Sequence, residues 1–191
     1  KIFKNKGDLL ITHWGFSGPG ILKLSSLAAR ELNFAKYNFK LIIRWTNLEY
    51  LDLYRKINLL RKNNGKSNLF TVRPLPQITK RLWIFLLNKI GINIHKTWSE
   101  ILAFERDQVI KLLLSDEYHI SGKGPFGEEF VTSGGVSIDE VSFKTMESNI
   151  CEGLYFSGEV LNVDGITGGF NFQHCWTSGW LAGKAIADAI K

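Results

Sequence analysis

Between residues 48 and 115 the apolar side chains recur at helical spacing, whereas the segments on either side alternate or stand in short apolar runs. Helices and strands bury different faces, so this change of period divides the chain. Tyr50, Leu53, Ile57 and Leu60 form one stripe, and Ile78, Leu82, Phe85 and Leu86 form another, with Pro76 suited to the first turn of the second helix. A third helix is expected from Thr97, where T-W-S-E can form a capping box, followed by Ile101, Phe104 or Glu105, Gln108 and Leu112. The KNNGKSN stretch (62–68) reads as a solvated, mobile loop.

On the amino-terminal side, GDLLITH (7–13) reads as a strand and WGFSGPG (14–20) as a turn. Ser17 is expected to cap a helix that Pro19 begins and that ends near Asn33. FKLIIRW (39–45) alternates like a half-buried strand. On the carboxyl side β character returns in YHISGKG and in FVTSGGVSI (130–138), and LYFSGEV (154–160) reads as a short buried strand. A closing helix is expected over residues 171–190, with Phe172, Trp176, Gly179, Gly183, Ile186 and Ile190 on one face and the two glycines allowing close approach to a sheet. The expected class is α/β, or α+β for a partial domain. Its parts are a β-rich segment (1–47), a helical subdomain (48–115), a return segment (116–127) and a closing strand–loop–helix unit (128–191).

Charge and cysteines narrow the chemistry. The net charge of +6 comes from 24 Lys and Arg scattered among 18 acids, which favours an ordinary basic surface over a polyanion-binding block. Trp83 and Trp98 fall at helical core positions, so the aromatics beside these basic residues do not argue for nucleic acid. Cys151 and Cys175 make neither a CxxC nor a metal-spaced cluster, and a reducing cytoplasm is expected. No apolar run reaches the length of a membrane span, and the start lacks a signal-peptide core. A start without Met that enters a strand-like segment almost at once reads as part of a longer protein.

The chemistry-bearing stretch is GEVLNVDGITGGFNFQHCWTSG (158–179). A helix start leaves amides unpaired and carries about half a positive charge, and a glycine-rich approach exposes those amides to an electron-rich ligand. Glu159 follows a strand-like run, where a carboxylate suits polyol hydroxyls. A second glycine pair, in Thr132-Ser133-Gly134-Gly135, suggests close approach of a flat or phosphorylated group, with a β-bulge as the competing reading.

VTSGGVSIDEVSFKTMES (131–148) and GLYFSGEVLNVDGITGGFNFQHCWTSGWLAGKAIA (153–187) resemble the C-terminal signature of the BaiN and aminoacetone-oxidase-like, or YhiN-type, NAD(P)/FAD-dependent flavoproteins. THWGFSGPGILKLS (12–25) is similar to another motif of that family. The resemblance implies the closing strand and helix of a Rossmann-like FAD domain, interrupted by β-rich and helical insertions. It implies that Glu159, with Gly158, meets the ribityl hydroxyls of FAD. Gly168, Gly169, Phe170, Asn171 and Phe172 would then meet the pyrimidine edge of the ring, and Thr132, Ser133, Gly134 and Gly135 would pass beside it.

The implied activity is two-electron transfer through the flavin to an unknown small molecule, with NAD(P)H or dioxygen as the other partner and no side chain nominated as acid or base. No G-x-G-x-x-G is read anywhere in the chain, so the amino-terminal βαβ unit that grips the ADP half is expected to be missing and the chain alone is expected to bind FAD weakly or not at all. His13 could face the substrate but reads more readily as a packed side chain, His174 and Cys175 could approach the cofactor or simply pack, and His95 and His119 read as structural. The rival reading is a non-catalytic binding module for a protein or nucleic acid.

Overall fold

The computed structural model describes residues 1–124, 133–166 and 168–190, and the chain folds as two compact units. One comprises residues 40–120 and the other residues 1–39 and 121–191. Among the described residues no helix is long and apolar enough to cross a membrane.

Residues 40–120 contain the larger core. Helices α3 (Tyr50–Asn63), α4 (Lys80–Lys89) and α5 (Ala103–Leu114) each turn an apolar face inward. Leu53, Ile57, Trp83, Leu86, Leu87, Ile110 and Leu113 are fully buried there, together with Leu69 and Trp98 from the connections. Both tryptophans satisfy their indole donors while buried, Trp83 Nε1 on the Leu69 carbonyl (2.7 Å) and Trp98 Nε1 on that of Val72 (3.1 Å). Strands β3 (Phe39–Ile43) and β4 (Asp116–Ile120) pair beside them.

Asp116 at the start of β4 is buried and accepts from Trp45 Nε1 (2.9 Å), Tyr118 Oη (2.7 Å) and Lys89 Nζ. A buried carboxylate with this many donors is fully compensated. Burial, and then the bond to Asp116, push the Tyr118 phenol well above its ordinary pKa.

Several local expectations shift here. The second helix begins not at Pro76 but after Thr79, whose hydroxyl caps it by accepting from Leu82 N (3.3 Å), and Phe85 is exposed while Trp83 takes the inner face. Glu100 does accept from Thr97 N (2.7 Å), yet it also takes the Thr97 hydroxyl (2.9 Å), which leaves that oxygen serving a turn and not a helix. The third helix starts at Ala103, where Glu105 accepts from Leu102 N (2.9 Å). Glu105 is buried, whereas Phe104 and Gln108 are exposed. Lys62 and Asn63 belong to α3, and the rest of the expected loop is tied down by Ser67 N on Asn64 O and Ser99 N on Gly65 O.

The other unit is poorer in strands than its sequence suggests. Within 7–13 only β1 (Leu10–Ile11) forms, antiparallel to β2 (Phe16–Ser17). Ser17 does not cap the next helix. The cap is Gly18 at φ 93, where a Cβ would stand 2.9 Å from Leu10 N, and the Asp8 carbonyl accepts from Gly20 N. The helix from Pro19 is broken at Ala28 into α1 (Pro19–Leu27) and α2 (Ala29–Phe34).

In 130–138 the first three residues lie outside the described ones, and the remainder contributes a single bridge, Val136 to Leu161. The stretch 154–160 is not a buried strand: Leu154 and Val160 are exposed, and Gly158–Val160 is a 3-10 turn. Alternation marks a strand only where neighbours complete a sheet, and among the described residues these segments have almost none.

The closing helix α6 (Phe170–Ala189) matches its expected span, but its faces are exchanged. Ser178 and Ala182 are buried, while Phe172, Trp176, Gly179, Gly183 and Ile190 are exposed. A Cβ added at Gly179 or Gly183 would meet nothing within 4 Å, so neither glycine marks a close approach. Val141, Met146, Leu161 and Ala182 form the small core of this unit.

Candidate functional site

The site is assembled on the inner face of α6. Ser178, 2% exposed, accepts from Gly158 N at 2.9 Å while donating to the His174 carbonyl at 2.7 Å. Gly158 adopts φ 73, and a Cβ there would lie 3.6 Å from Cys175 Sγ. The turn bearing Glu159 is thereby pinned to the helix about 12 Å, eight residues of helical rise, from its start. Glu159 itself is exposed. Ser178 was not among the residues expected from sequence, because a mid-helix serine carries no signal until its partner is known.

The second glycine string is drawn to the same turn. Val136 N donates to Val160 O (2.8 Å), and Asn162 N donates to Val136 O (2.9 Å). Gly135, at φ 130, lies so close that a Cβ would be 2.4 Å from the Val160 carbonyl oxygen. Ser133 Oγ donates to Asp164 Oδ2 at 2.9 Å, and Gly134 lies beside open space. Thr132 lies outside the described residues. Ser133, Asp164 and Ile166 also border a cleft of about 220 Å³ together with Lys23, Ser26 and Arg30.

Between Glu159 and the helix, the loop is clamped by Asn171, whose Oδ1 accepts from Gly165 N (2.8 Å) and whose Nδ2 donates to Gly165 O (3.3 Å). Sequence reading assigned Asn171 a backbone role, and the structure adds this side-chain one. Gly168 (φ 137) and Gly169 (φ 96) lead into α6 in conformations that favour glycine, and among the described residues added Cβ atoms would meet nothing within 4 Å. Among the described residues no side chain caps α6, and no acid stands in its first turn. Open space and an uncapped positive helix end suit a flat, electron-rich ligand edge. Phe170 and Phe172 are 65% and 68% exposed, and the Phe172 ring stacks on Trp176 at 6.3 Å.

The structure thus packs Gly135 and Val136 against Val160 and Asn162, just after Glu159, and joins Ser133 to Asp164, while Ser178 ties Gly158 to the helix that Phe170 and Asn171 begin. His13 is not packed but exposed at the tip of a hairpin closed by Thr12 N on Gly15 O. His174 is half-buried, and its Nε2 has no hydrogen-bond partner among the described residues. Cys151 and Cys175 are both free thiols.

One expectation needs correcting at the level of letters. Gly122-Lys123-Gly124-Pro125-Phe126-Gly127 does spell G-x-G-x-x-G. A phosphate-gripping loop must open a helix, and no helix begins within 121–124 or 133–137, while 125–132 lie outside the described residues. Gly124 instead packs against Trp14, whose ring a Cβ would meet at 2.9 Å.

The glycine strings and their helix belong to a recognised pattern. Residues 31–185 match the family model described as the HI0933-like protein Rossmann domain. The ribosomal RNA dihydrouridine synthase of Haemophilus influenzae is 32% identical over 197 residues, covering 98% of this chain and 43% of that protein. The Escherichia coli protein of the same name is 30% identical over 182 residues, covering 95% and 43%. The 3-dehydro-bile acid delta(4,6)-reductase of Clostridium scindens is 28% identical over 187 residues, covering 97% and 45%. The chain therefore spans somewhat less than half the length of these relatives. It belongs to the HI0933-like Rossmann-domain family, the flavoproteins of the BaiN and YhiN type.

Proposed function

We propose that this chain carries the flavin-facing part of an FAD-dependent oxidoreductase that adds hydrogen across a carbon–carbon double bond conjugated to a carbonyl. The observation that carries this reading is the uncapped, glycine-led start of α6, tied through Ser178 to the turn that holds Glu159. The residues present fit FAD. The Glu159 carboxylate is free to accept from polyol hydroxyls, the amides of Gly169, Phe170, Asn171 and Phe172 present donors at the helix start, and Gly135 packs against Val160 in the same turn.

Bound there, FAD would supply two-electron, hydride-equivalent transfer, with a nicotinamide as the electron source. The chain's own contribution is electrostatic and positional. The positive end of α6 favours the negative charge that reduction leaves on the pyrimidine edge, and the Asn171 clamp on Gly165 holds the loop that carries these amides.

The names of the relatives support a reading of the substrate class. A dihydrouridine synthase saturates the uracil ring, and a 3-dehydro-bile acid delta(4,6)-reductase saturates double bonds in a ring system bearing a 3-oxo group. Both additions meet a double bond made electron-poor by a carbonyl. Because the relatives at 32% and 30% identity are named for ribosomal RNA, we infer a uridine in ribosomal RNA as the substrate. A small-molecule enone is the second reading, resting on the relative at 28%.

The test of the flavin site is Glu159→Ala in the intact protein. The wild type should be yellow, and the variant should hold FAD roughly tenfold more weakly, as expected for loss of a hydrogen bond to a charged group. A colourless wild type would instead favour the non-catalytic binding module. For the substrate, ribosomal RNA treated with the reduced protein should contain uridine heavier by two hydrogens in nucleoside mass spectra. Unaltered uridine alongside a reduced enone would favour the small-molecule reading.

A further inference from the structure

Charge is divided very unequally between the two units. Residues 40–120 hold 14 of the 24 Lys and Arg but only seven of the 18 acids, a net +7 that exceeds the +6 of the whole chain. Six of those seven acids are engaged in ion pairs within the unit, and the seventh, Glu100, accepts from Thr97. The acids thus neutralise particular cations and leave others uncompensated. Lys62, Lys66, Lys80 and Arg81 are exposed and have no carboxylate partner among the described residues.

Lys66 lies in one seam and Lys80 reaches it at Phe70, with Lys62 and Arg81 close to them along the chain. Where α3 ends, the chain from Gly65 to Phe70 runs beside residues 94–99, joined by Ser99 N on Gly65 O, Trp98 N on Ser67 O (3.0 Å) and Leu69 N on Lys96 O (2.8 Å). Arg61 fastens the last turn of α3 to this seam by donating from Nε to the Trp98 carbonyl (3.2 Å). Lys62 and Lys66 stand at this end. At the other end the Phe70 ring meets exposed His95 edge-on at 5.5 Å, and the Lys80 ammonium lies 5.0 Å from the Phe70 centroid, with Arg81 next in α4. Exposed cations beside accessible ring edges are what a nucleic-acid strand needs, charge for its phosphates and flat surface for its bases. Trp83 and Trp98 of this unit are buried and take no part.

We propose that the unit of residues 40–120 is the RNA-docking surface of the protein: Lys62, Lys66, Lys80 and Arg81 hold phosphates along the seam, and His95 with Phe70 offers a stacking edge. This rests on the reading of RNA as substrate and adds where the strand is gripped. The grip is sequence-independent, so the choice of uridine is made elsewhere.

The test is fluorescence anisotropy of a fluorescein-labelled, uridine-containing oligoribonucleotide with the intact protein over a KCl series. Binding should weaken steeply with salt. The variant Lys62→Gln/Lys66→Gln/Lys80→Gln/Arg81→Gln should lose about tenfold or more in affinity at low salt, and its log–log salt slope should fall by about three, as for four lost phosphate contacts on a single strand. A control carrying Lys4→Gln, Lys6→Gln, Lys36→Gln and Lys144→Gln, all in the other unit, should stay within about twofold of wild type, because its cations lie off the docking surface.

Circular dichroism and flavin occupancy should be equal in all three proteins. RNA binding that the seam variant leaves intact and the control variant weakens would overturn the docking surface while sparing the RNA reading. A wild type that binds no RNA at any salt would overturn both. Equal competition by poly-glutamate of matched charge would mark a surface for acidic proteins and also overturn the proposal.

Discussion

Glu105 shows how one residue can serve fold and charge together. Its burial alone would raise the carboxyl pKa, but the Lys96 ammonium at 2.6 Å and the Leu102 amide outweigh burial and hold it below the ordinary 4.5. A depressed folded pKa means the stabilisation is fully present above about 4.5 and is lost as pH falls through the lower folded value. Acid unfolding followed by emission of the buried Trp83 and Trp98 should begin below about pH 4.5, and Glu105→Gln should flatten that dependence. An unchanged acid limb in the variant would remove Glu105 from this role. Gly135 is the complementary case in the other unit, since Gly135→Ala forces a Cβ against the Val160 carbonyl at φ 130. A cost of about 2–4 kcal/mol is expected in denaturant titrations, and a neutral substitution would mean the two strings are not packed as described.

At the scale of elements, α6 separates what periodicity reveals from what it conceals. Its span was legible in the sequence, because glycines precede a long run of helix-compatible residues. Its inner face was not, because the larger apolar residues Phe172, Trp176 and Ile190 point outward and the buried side is made of Ser178 and Ala182. The same limit explains the strands. Alternation in 7–13 and 154–160 gives a period but not the neighbours that a sheet requires, and only two-stranded sheets occur among the described residues. In the helical unit the stripes were read in part, Leu53, Ile57, Ile78 and Leu86 being buried but Tyr50 and Phe85 exposed, and the starts were missed, since Thr79 and Glu105 cap by geometry that several nearby residues could have supplied. The candidate site was legible as glycines and one acid, while Ser178 and the Asn171 side chain, which join them, depend on tertiary contact. Because Gly179 and Gly183 face open space inside a helix, Gly179→Ala and Gly183→Ala should each stabilise by about 0.5–1 kcal/mol in thermal or denaturant unfolding. Destabilisation would restore the close approach expected from sequence.

For the whole molecule, the outward face of α6 has consequences beyond one helix. Trp176 and Trp180 are 68% and 64% exposed and continue the row begun by Phe172, a larger aromatic surface than a free monomer ordinarily presents. The 191-residue chain alone is therefore expected to self-associate, and Trp176→Ser with Trp180→Ser should shift its sedimentation toward monomer without loss of helical circular dichroism. A wild-type monomer at high concentration would contradict this.

The account stands or falls on whether the start of α6 faces the flavin. The direct measurement is the midpoint potential of the FAD-loaded intact protein with and without Phe170→Glu, which sets a carboxylate in the uncapped first turn at an exposed position. The potential should fall by on the order of 10–40 mV for the two-electron couple, because negative charge there opposes the charge that reduction adds. A variant that retains its flavin at an unchanged potential would show that the helix end does not face the ring.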